Sequence, residues 1–411
     1  MGYELDAGGQ GRLLKYFSAI GAALNNKKRR ESFAIYAMGL LGSAERKSAE
    51  PLAAAVSADP EKCDAHHQRL LHFLGDSPWS DHAVRREASG HAIEAMTEHE
   101  PIRCWIIDDT GFPKQGTHSV GVQRQYTGTL GKIGNCQIGV SLSVATALAH
   151  VPIDFELYLP ESWTSDPVRR DECKIPNDIG FKTKEDLALD MIIRAAEDKI
   201  PGDIVLADSF YGRSHGFRDT VRVLGFDYAL GIPPTLTMWR LDKSERRMGD
   251  AKAARALASD LGQKAFRRVT WREGTMAGPR GKLSSRFAFL RVKVAHDDGS
   301  EPASREPLWL LVEWPKGEAA PTKFALTTLP RSMSTKQIVR LFKERYRTER
   351  VYEEMKVELG LDHFEGRSFP GWHHHVSVAI CCYAFVVAER MRHFPPSARR
   401  RSPARQDAFA A

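Results

Sequence analysis

The strongest constraint on the fold is a change of texture at Ile102. Up to about Pro101, apolar residues recur at helical spacing in five segments, from LLKYFSAIGAAL through SDHAVRREASGHAIEAM. From Ile102 the pattern becomes that of strands: RCWIID, GVQRQYTG, CQIGVSLSVATAL and VPIDFELYLP, separated by Gly and Asn turns. Next come the helix KTKEDLALDMIIRAAEDK, the strand GDIVLADSFYG, the helix SHGFRDTVRVLG and the strand FDYALGI. Successive strands followed by helix–strand–helix–strand predict a mixed α/β sheet. FRRVTWREG, SSRFAFLRVKVAH, PLWLLVEWP and KFALTTLP then form a second strand-rich stretch, which reads as a β-rich insertion.

A charged helix follows the insertion. Residues 334–367 carry Ile338, Leu341, Phe342, Val351, Tyr352, Met355 and Leu359 at helical spacing, with Thr335 as the expected N-cap and Gly360 as the stop. Phe342, Arg345, Glu349, Tyr352 and Lys356 fall three and four apart, so one continuous helix would align them on one side. Such a stripe makes a poor core face, but it suits a groove holding a metal ion and a phosphate together.

The 411 residues suffice for two or three domains, and 42% hydrophobic with 27% charged residues is ordinary for a globular protein. A net charge of +7 favours a polyanionic partner. The six cysteines form no CxxC pair, so no structural zinc site is expected, and Cys381 and Cys382 read as buried reduced thiols of a cytosolic protein. The first residues are acidic and glycine-bearing rather than basic then apolar, so secretion is not indicated. The apolar run at residues 376–388 is too short and mixed to cross a bilayer. Between the N-terminal segments lie Lys27, Lys28, Arg29 and Arg30, which fit either a solvated bundle or a DNA-binding one.

Three acids stand where an α/β sheet would expose them. Asp108, with Asp109 beside it, closes the apolar run IIDD, Asp208 follows IVLA, and Glu349 lies on the charged stripe. Ligands of such sheets collect at the carboxyl ends of strands, and carboxylates there make a hard oxygen site for Mg²⁺. Each acid alone is an ordinary turn former or helix cap. Their chemical meaning comes from occurring in this order on these elements.

IIDDTGFPKQGTHSVGVQRQY (residues 106–126), VLADSFYG (205–212) and RYRTERVYEEMKVELGLDHFEGRSFPGWHHH (345–375) resemble bacterial insertion-sequence transposases of the DDE type, in the IS4-like group and most similar to its IS701 family. The resemblance runs from about Gly11 to Arg392. It implies an RNase H-like core in which Asp108, Asp208 and Glu349 are catalytic and hold two Mg²⁺ ions, with Mn²⁺ expected to substitute. Asp109 stays open as the alternative first acid, since adjacent strand residues face opposite ways, whereas Thr110 completes a D-x-T pattern with Asp108. The group's Y-x2-R-x3-E-x6-K signature maps onto Phe342, Arg345, Glu349 and Lys356, with Phe replacing Tyr and removing one hydroxyl. Registers using Glu353 or Glu354 lack Arg and Lys at these offsets.

By the same likeness, Arg345 and Lys356 would bind phosphates, and Trp239 or Trp271 would meet a flipped base; for either Trp the plain alternative is core filling. Lys114, Gln115, Arg124 and Gln125 are candidate DNA-backbone contacts or solvated turn residues. His373, His374 and His375 are consecutive and cannot converge on one ion; helix capping or a phosphate contact is expected of them. The implied organisation is a helical DNA-binding domain (1–101), an RNase H-like core in two parts (102–232 and 333–394), the β-rich insertion (233–332) and a basic, disordered tail (395–411). The implied function is cut-and-paste transposition by a homodimer on double-stranded DNA in the bacterial cytoplasm, at the nucleoid. Second-strand cleavage through a hairpin is implied by the same group. A nuclease that does not join, or a catalytically silent DNA-binding derivative, are the rival readings.

Overall fold

The computed structural model describes residues 7–57, 62–272, 282–295 and 306–393; the basic tail lies outside them. The five N-terminal helices form as their periodicity indicates: α1 (Ala7–Leu24), α2 (Lys27–Leu41), α3 (Ala49–Val56), α4 (Cys63–Gly75) and α5 (Asp81–Thr97). Local caps set their ends. Asn26 accepts from the backbone N–H groups of Lys28 and Arg29, and Ser80 accepts from that of Ala83.

One 12-stranded sheet follows. Its first strands are β1 (Cys104–Pro113), β2 (Gln123–Thr127), β3 (Lys132–Ala145) and β4 (His150–Tyr158). After the short helices α6 (Glu161–Thr164) and α7 (Pro167–Glu172) comes α8 (Lys184–Glu197), started by a capping box between Thr183 and Asp186. Then come β5 (Ile204–Ala207), α9 (Ser209–Gly212), α10 (His215–Val223) and β6 (Asp227–Ile232). β3 pairs antiparallel with β1, β2 and β4, while β1, β5 and β6 run parallel to one another.

The strand-rich stretch contributes β7 (Thr237–Arg240), β8 (Lys252–Ala253), α11 (Ala254–Ser259), β9 (Arg267–Arg272), β10 (Leu283–Val294), β11 (Leu308–Trp314) and β12 (Lys323–Thr327). Its strands join the same sheet because β12 pairs antiparallel with β6.

Where one long helix was expected, there are two. α12 (Thr335–Glu344) and α13 (Arg347–Leu359) are separated by a turn at Arg345 and Tyr346. The cap also differs by one residue: Ser334, not Thr335, forms a capping box with Gln337. Nothing in the local sequence breaks the helix. Arg345 and Tyr346 keep helical backbone angles, and the break is a tightened turn in which the Tyr346 and Thr348 N–H groups donate to the carbonyls three residues before them. α12 packs on β9 and β6, whereas α13 packs on β1, β4 and α14 (Phe369–His393). Gly360 ends α13 at φ +63°, the left-handed cap that glycine adopts without strain.

α14 is buried on nearly every side, the setting of a helix that is apolar all round. Its polar residues therefore need partners. Behind the sheet, Arg85 on α5 is 1% exposed and donates to Asp81 (2.7 Å) and to Ser377 of α14 (2.9 Å). Its other nitrogen lies 3.1 Å from Asp154 on β4. Arg194 of α8 donates to Asp154 (2.8 Å) and Glu156 (2.7 Å), and His373 of α14 lies 3.3 Å from Glu156. The network joins α5, β4, α8 and α14. Buried charges persist only when paired, and removing one partner strands the others.

Arg85→Met should therefore lower stability by about 3–5 kcal/mol, read as an earlier urea midpoint by circular dichroism. An unchanged midpoint would show the network to be dispensable. The pH dependence follows from two opposed shifts. Burial pushes the Glu156 carboxyl up, but the His373 hydrogen bond and charge, with Arg85 and Arg194, outweigh it and hold the group at about 2 against the usual 4.5. Its stabilisation is complete above pH 4.5 and lost as pH falls toward 2. Burial pushes His373 down, but Glu156 outweighs it and raises it above 6.5, so its share is complete below pH 6.5 and lost as pH climbs through the raised value. Thermal melts across pH should thus be highest between these limbs, with His373→Gln flattening the alkaline one.

Candidate active site

Two parallel strands carry the first acids. β1 and β5 pair from Cys104 opposite Ile204 to Ile106 opposite Leu206, and Asp108 and Asp208 each lie two residues further along. Asp208 stands just past β5, as expected, and caps α9 by accepting from the Phe210 N–H (2.9 Å). Asp108 differs from expectation. It lies in the middle of a ten-residue strand rather than at its end, because β1 continues along β3 to Pro113.

The faces of β1 separate the two adjacent acids. Cys104 and Ile106 pack with Ile204, Leu206 and Ile338 of α12. Alternation puts Asp108 and Thr110 on that α12 side and Asp109 on the opposite side. There Asp109 is held by Lys184 at the start of α8, at 2.9 Å. Asp108 instead accepts the Asp109 N–H (3.0 Å) and lies 3.5 Å from the Arg345 guanidinium.

Burial pushes the Asp108 carboxyl up to about 7; Arg345 opposes this, and the negative charges of Asp109 and Asp208 reinforce it. Asp109 is also raised, chiefly by burial, against the pull of Lys184. The Tyr211 hydroxyl is buried beside these three acids without a hydrogen-bond partner among the described residues. Crowded carboxylates and an orphaned hydroxyl make a site short of positive charge, and the neighbouring oxygen donors of Asp108 and Asp208 fit a divalent ion. α9 reaches this position through a close backbone approach: a Cβ at Gly212 would lie 1.8 Å from the Gly231 carbonyl oxygen.

The turn between α12 and α13 delivers Arg345 to Asp108. One turn further on, Glu349 is exposed and engaged by no hydrogen bond or ion pair among the described residues. Among those residues, no three His, Cys, Asp or Glu side chains are gathered closely enough to hold a metal ion. Glu354, from the alternative register, is tied to α14 through Tyr383 (3.1 Å) and Arg390 (2.8 Å), and Glu353 is exposed. Tyr352 turns inward and shares a 2.6 Å hydrogen bond with Ser141, the strand partner of Asp108. Lys356 donates to Thr110 Oγ1 (2.9 Å) and to the Gly111 carbonyl (2.7 Å). Phe342 packs, half-buried, against the α12 side of the sheet with Phe289.

The other candidates are scattered. Lys114 donates to the Phe364 carbonyl (2.7 Å), Gln115 and Arg124 are exposed, and Gln125 donates across to the Cys136 carbonyl (3.1 Å). Trp239 is buried in β7 with Arg247 stacked 4.1 Å from its ring centroid. Trp271 is half-buried beside α12, with the Lys343 ammonium 4.7 Å from its ring centroid. The three histidines do not cap the helix. They lie buried within α14, where His374 meets the Leu74 and Trp79 carbonyls and His375 meets Tyr36 and the Gly360 carbonyl. Lys184, Ser141 and Tyr211 carried no signal in the sequence, because each depends on an element distant along the chain or on burial. Among the described residues, no helix is long and apolar enough to cross a membrane.

Residues 19–278 match the family of DDE superfamily endonucleases, and residues 182–385 match the transposase DDE domain. The chain is 28% identical over 203 residues to a Microchaete diplosiphon protein described as "Probable transposase for insertion sequence element IS701". That match spans about half of each protein, 49% of this chain and 48% of the relative. With Asp108 and Asp208 neighbours at two adjacent parallel strands and Arg345, in the turn before α13, laid against the first, this chain belongs to the DDE superfamily endonucleases, and it is similar to the transposase DDE domain and to that IS701 relative.

Proposed function

We propose that the protein cuts DNA at the ends of its own mobile element and joins the freed 3′-hydroxyls to target DNA. The observation that carries this reading is the neighbouring Asp108 and Asp208 on adjacent parallel strands, with Arg345, in the turn between α12 and α13, in contact with Asp108. The strand order β4-β3-β1-β5-β6, with β1, β5 and β6 parallel, supports an RNase H-like core formed by residues 102–232 and 333–394. Residues 1–101 would bind DNA, 233–332 form the insertion, and 395–411 add a basic arm. A homodimer pairing two ends, in a bacterial cytoplasm at the nucleoid, is part of the same proposal.

Asp108, Asp208 and Glu349 would hold two Mg²⁺ ions, which would supply a nucleophilic oxygen and stabilise the leaving one. Asp108 is preferred to Asp109 because Lys184 occupies Asp109 on the far side of β1. Glu349, exposed one turn beyond Arg345, would complete the set when DNA draws α13 inward. Arg345 and Lys356 would exchange their contacts with Asp108 and Thr110 for phosphate oxygens, as guanidinium and ammonium groups favour. Trp271, half-buried beside α12, is better placed than the buried Trp239 to stack on an extruded base. Water would hydrolyse the end phosphodiester, and the resulting 3′-hydroxyl would attack a target phosphodiester in a direct transesterification.

Asp208→Ala and Glu349→Ala should each lower Mg²⁺-dependent cleavage of an end-containing oligonucleotide by about 10²–10³-fold with end binding intact. Cleavage at the parental rate would sink the assignment, and cleavage without strand-transfer products would reduce the protein to a nuclease. Lys356→Ala should weaken binding alike for all sequences and lower the slope of log affinity against log salt by about 0.9, the loss of one phosphate contact. An unchanged slope would assign Lys356 to Thr110 alone.

A further inference from the structure

The hairpin formed by β2 and β3 has features that the acids do not explain. It belongs to the longest stretch of the core without a carboxylate: between Asp109 and Asp154 there is no Asp or Glu, but there are Lys114, Arg124 and Lys132. Its loop touches the candidate active site. Thr129 Oγ1 accepts from the Gly111 N–H (3.2 Å), and Lys356 Nζ lies 3.4 Å from the same oxygen. The contact depends on glycine, since a Cβ at Gly111 would lie 1.9 Å from Thr127 Oγ1.

This hairpin exposes large apolar side chains. Tyr126 is 64% and Ile133 57% exposed, and they are directly paired across the two strands, so they project from one face. Leu130, 39% exposed, sits at the tip. Isolated apolar residues on a surface mean little, but a cross-strand pair beside a catalytic edge, flanked by cations only, is a surface built for contact. Cations with no carboxylate select a polyanion, and apolar side chains among them select one with stacked, apolar faces.

Resting on the DNA-transposase reading above, we propose that this tip is a wedge for duplex DNA: Tyr126 and Ile133 enter the base stack near the scissile phosphate and hold one step open. Arg124, on the same strand face as Tyr126, would contact the flanking phosphate. Proteins that insert apolar side chains between base pairs bear the unstacking cost themselves, so they bind tighter to DNA that is already open.

The test uses the full chain and two probes, a duplex of about 30 bp and the same duplex with two central mismatches. The wild type should bind the mismatched probe about tenfold tighter, and thymines near the site in the fully paired probe should become permanganate-reactive on binding. The double variant Tyr126→Ser with Ile133→Ser should bind both probes alike, whereas Tyr126→Phe with Ile133→Leu should keep the preference. Equal binding of both probes by the wild type, without permanganate reactivity, would overturn the wedge and leave the DNA-binding reading standing. The wedge also falls if the serine variant keeps the preference, or if its only change is dissociation of a dimer, which would make the patch a contact between copies. Failure of the wild type to bind either probe would overturn the transposase reading itself, and the wedge with it. The permanganate readout on the wild type needs no variant to fold.

Discussion

Parallel pairing between β1 and β5 is the constraint on which the site depends. Parallel neighbours cannot be joined by a tight turn, so the chain between them must contribute other elements first. Here it provides the antiparallel strands β2, β3 and β4 and the helix α8. The result brings Asp108 and Asp208, far apart in sequence, each to two residues beyond the last paired residues of adjacent strands. Burial there raises the Asp108 carboxyl, Arg345 opposes the shift, and the charges of Asp109 and Asp208 add to it.

α14 ties the sheet, through β4, to the helices around it. The helix lies against α1, α2, α4, α5, α13 and β4. Because it is buried, each of its histidines must find a partner, and each finds one on a different element: His373 on β4, His374 at the end of α4 and beyond it, His375 on α2 and at the end of α13. Polar groups buried in this way cost stability unless satisfied, and they permit only one docking geometry when they are. The N-terminal helices and the catalytic sheet are therefore packed together through specific polar contacts as well as apolar area.

The charged stripe has a different meaning in the folded chain than along an isolated helix. Its residues divide at the turn between α12 and α13. Arg345 occupies the turn and reaches Asp108, Tyr352 points inward to Ser141, Lys356 reaches the β1 backbone, and Glu349 remains exposed. Two cations thus lie against the acid-bearing strand, where they partly offset its charge. The same two side chains are the ones proposed to meet phosphates.

Much of this was legible from residues alone. Helical and alternating periodicities located nearly every long element, the acids of IIDD and IVLAD fell on neighbouring strands as the candidate site requires, and Gly360 marked the end of α13, because these signals are local. The short strands β7 and β8 and the helix α11 were not legible, being too brief to show a period. Nor was the break at Arg345 and Tyr346, since the local sequence favours a continuous helix. The mid-strand position of Asp108, the binding of Asp109 by Lys184, and the burial of Trp239 and the three histidines were likewise decided by tertiary structure. Sequence determined which side chains could do chemistry and on which element each would stand. Long-range strand pairing and helix docking decided which of them meet, because those contacts join residues whose proximity no local pattern encodes.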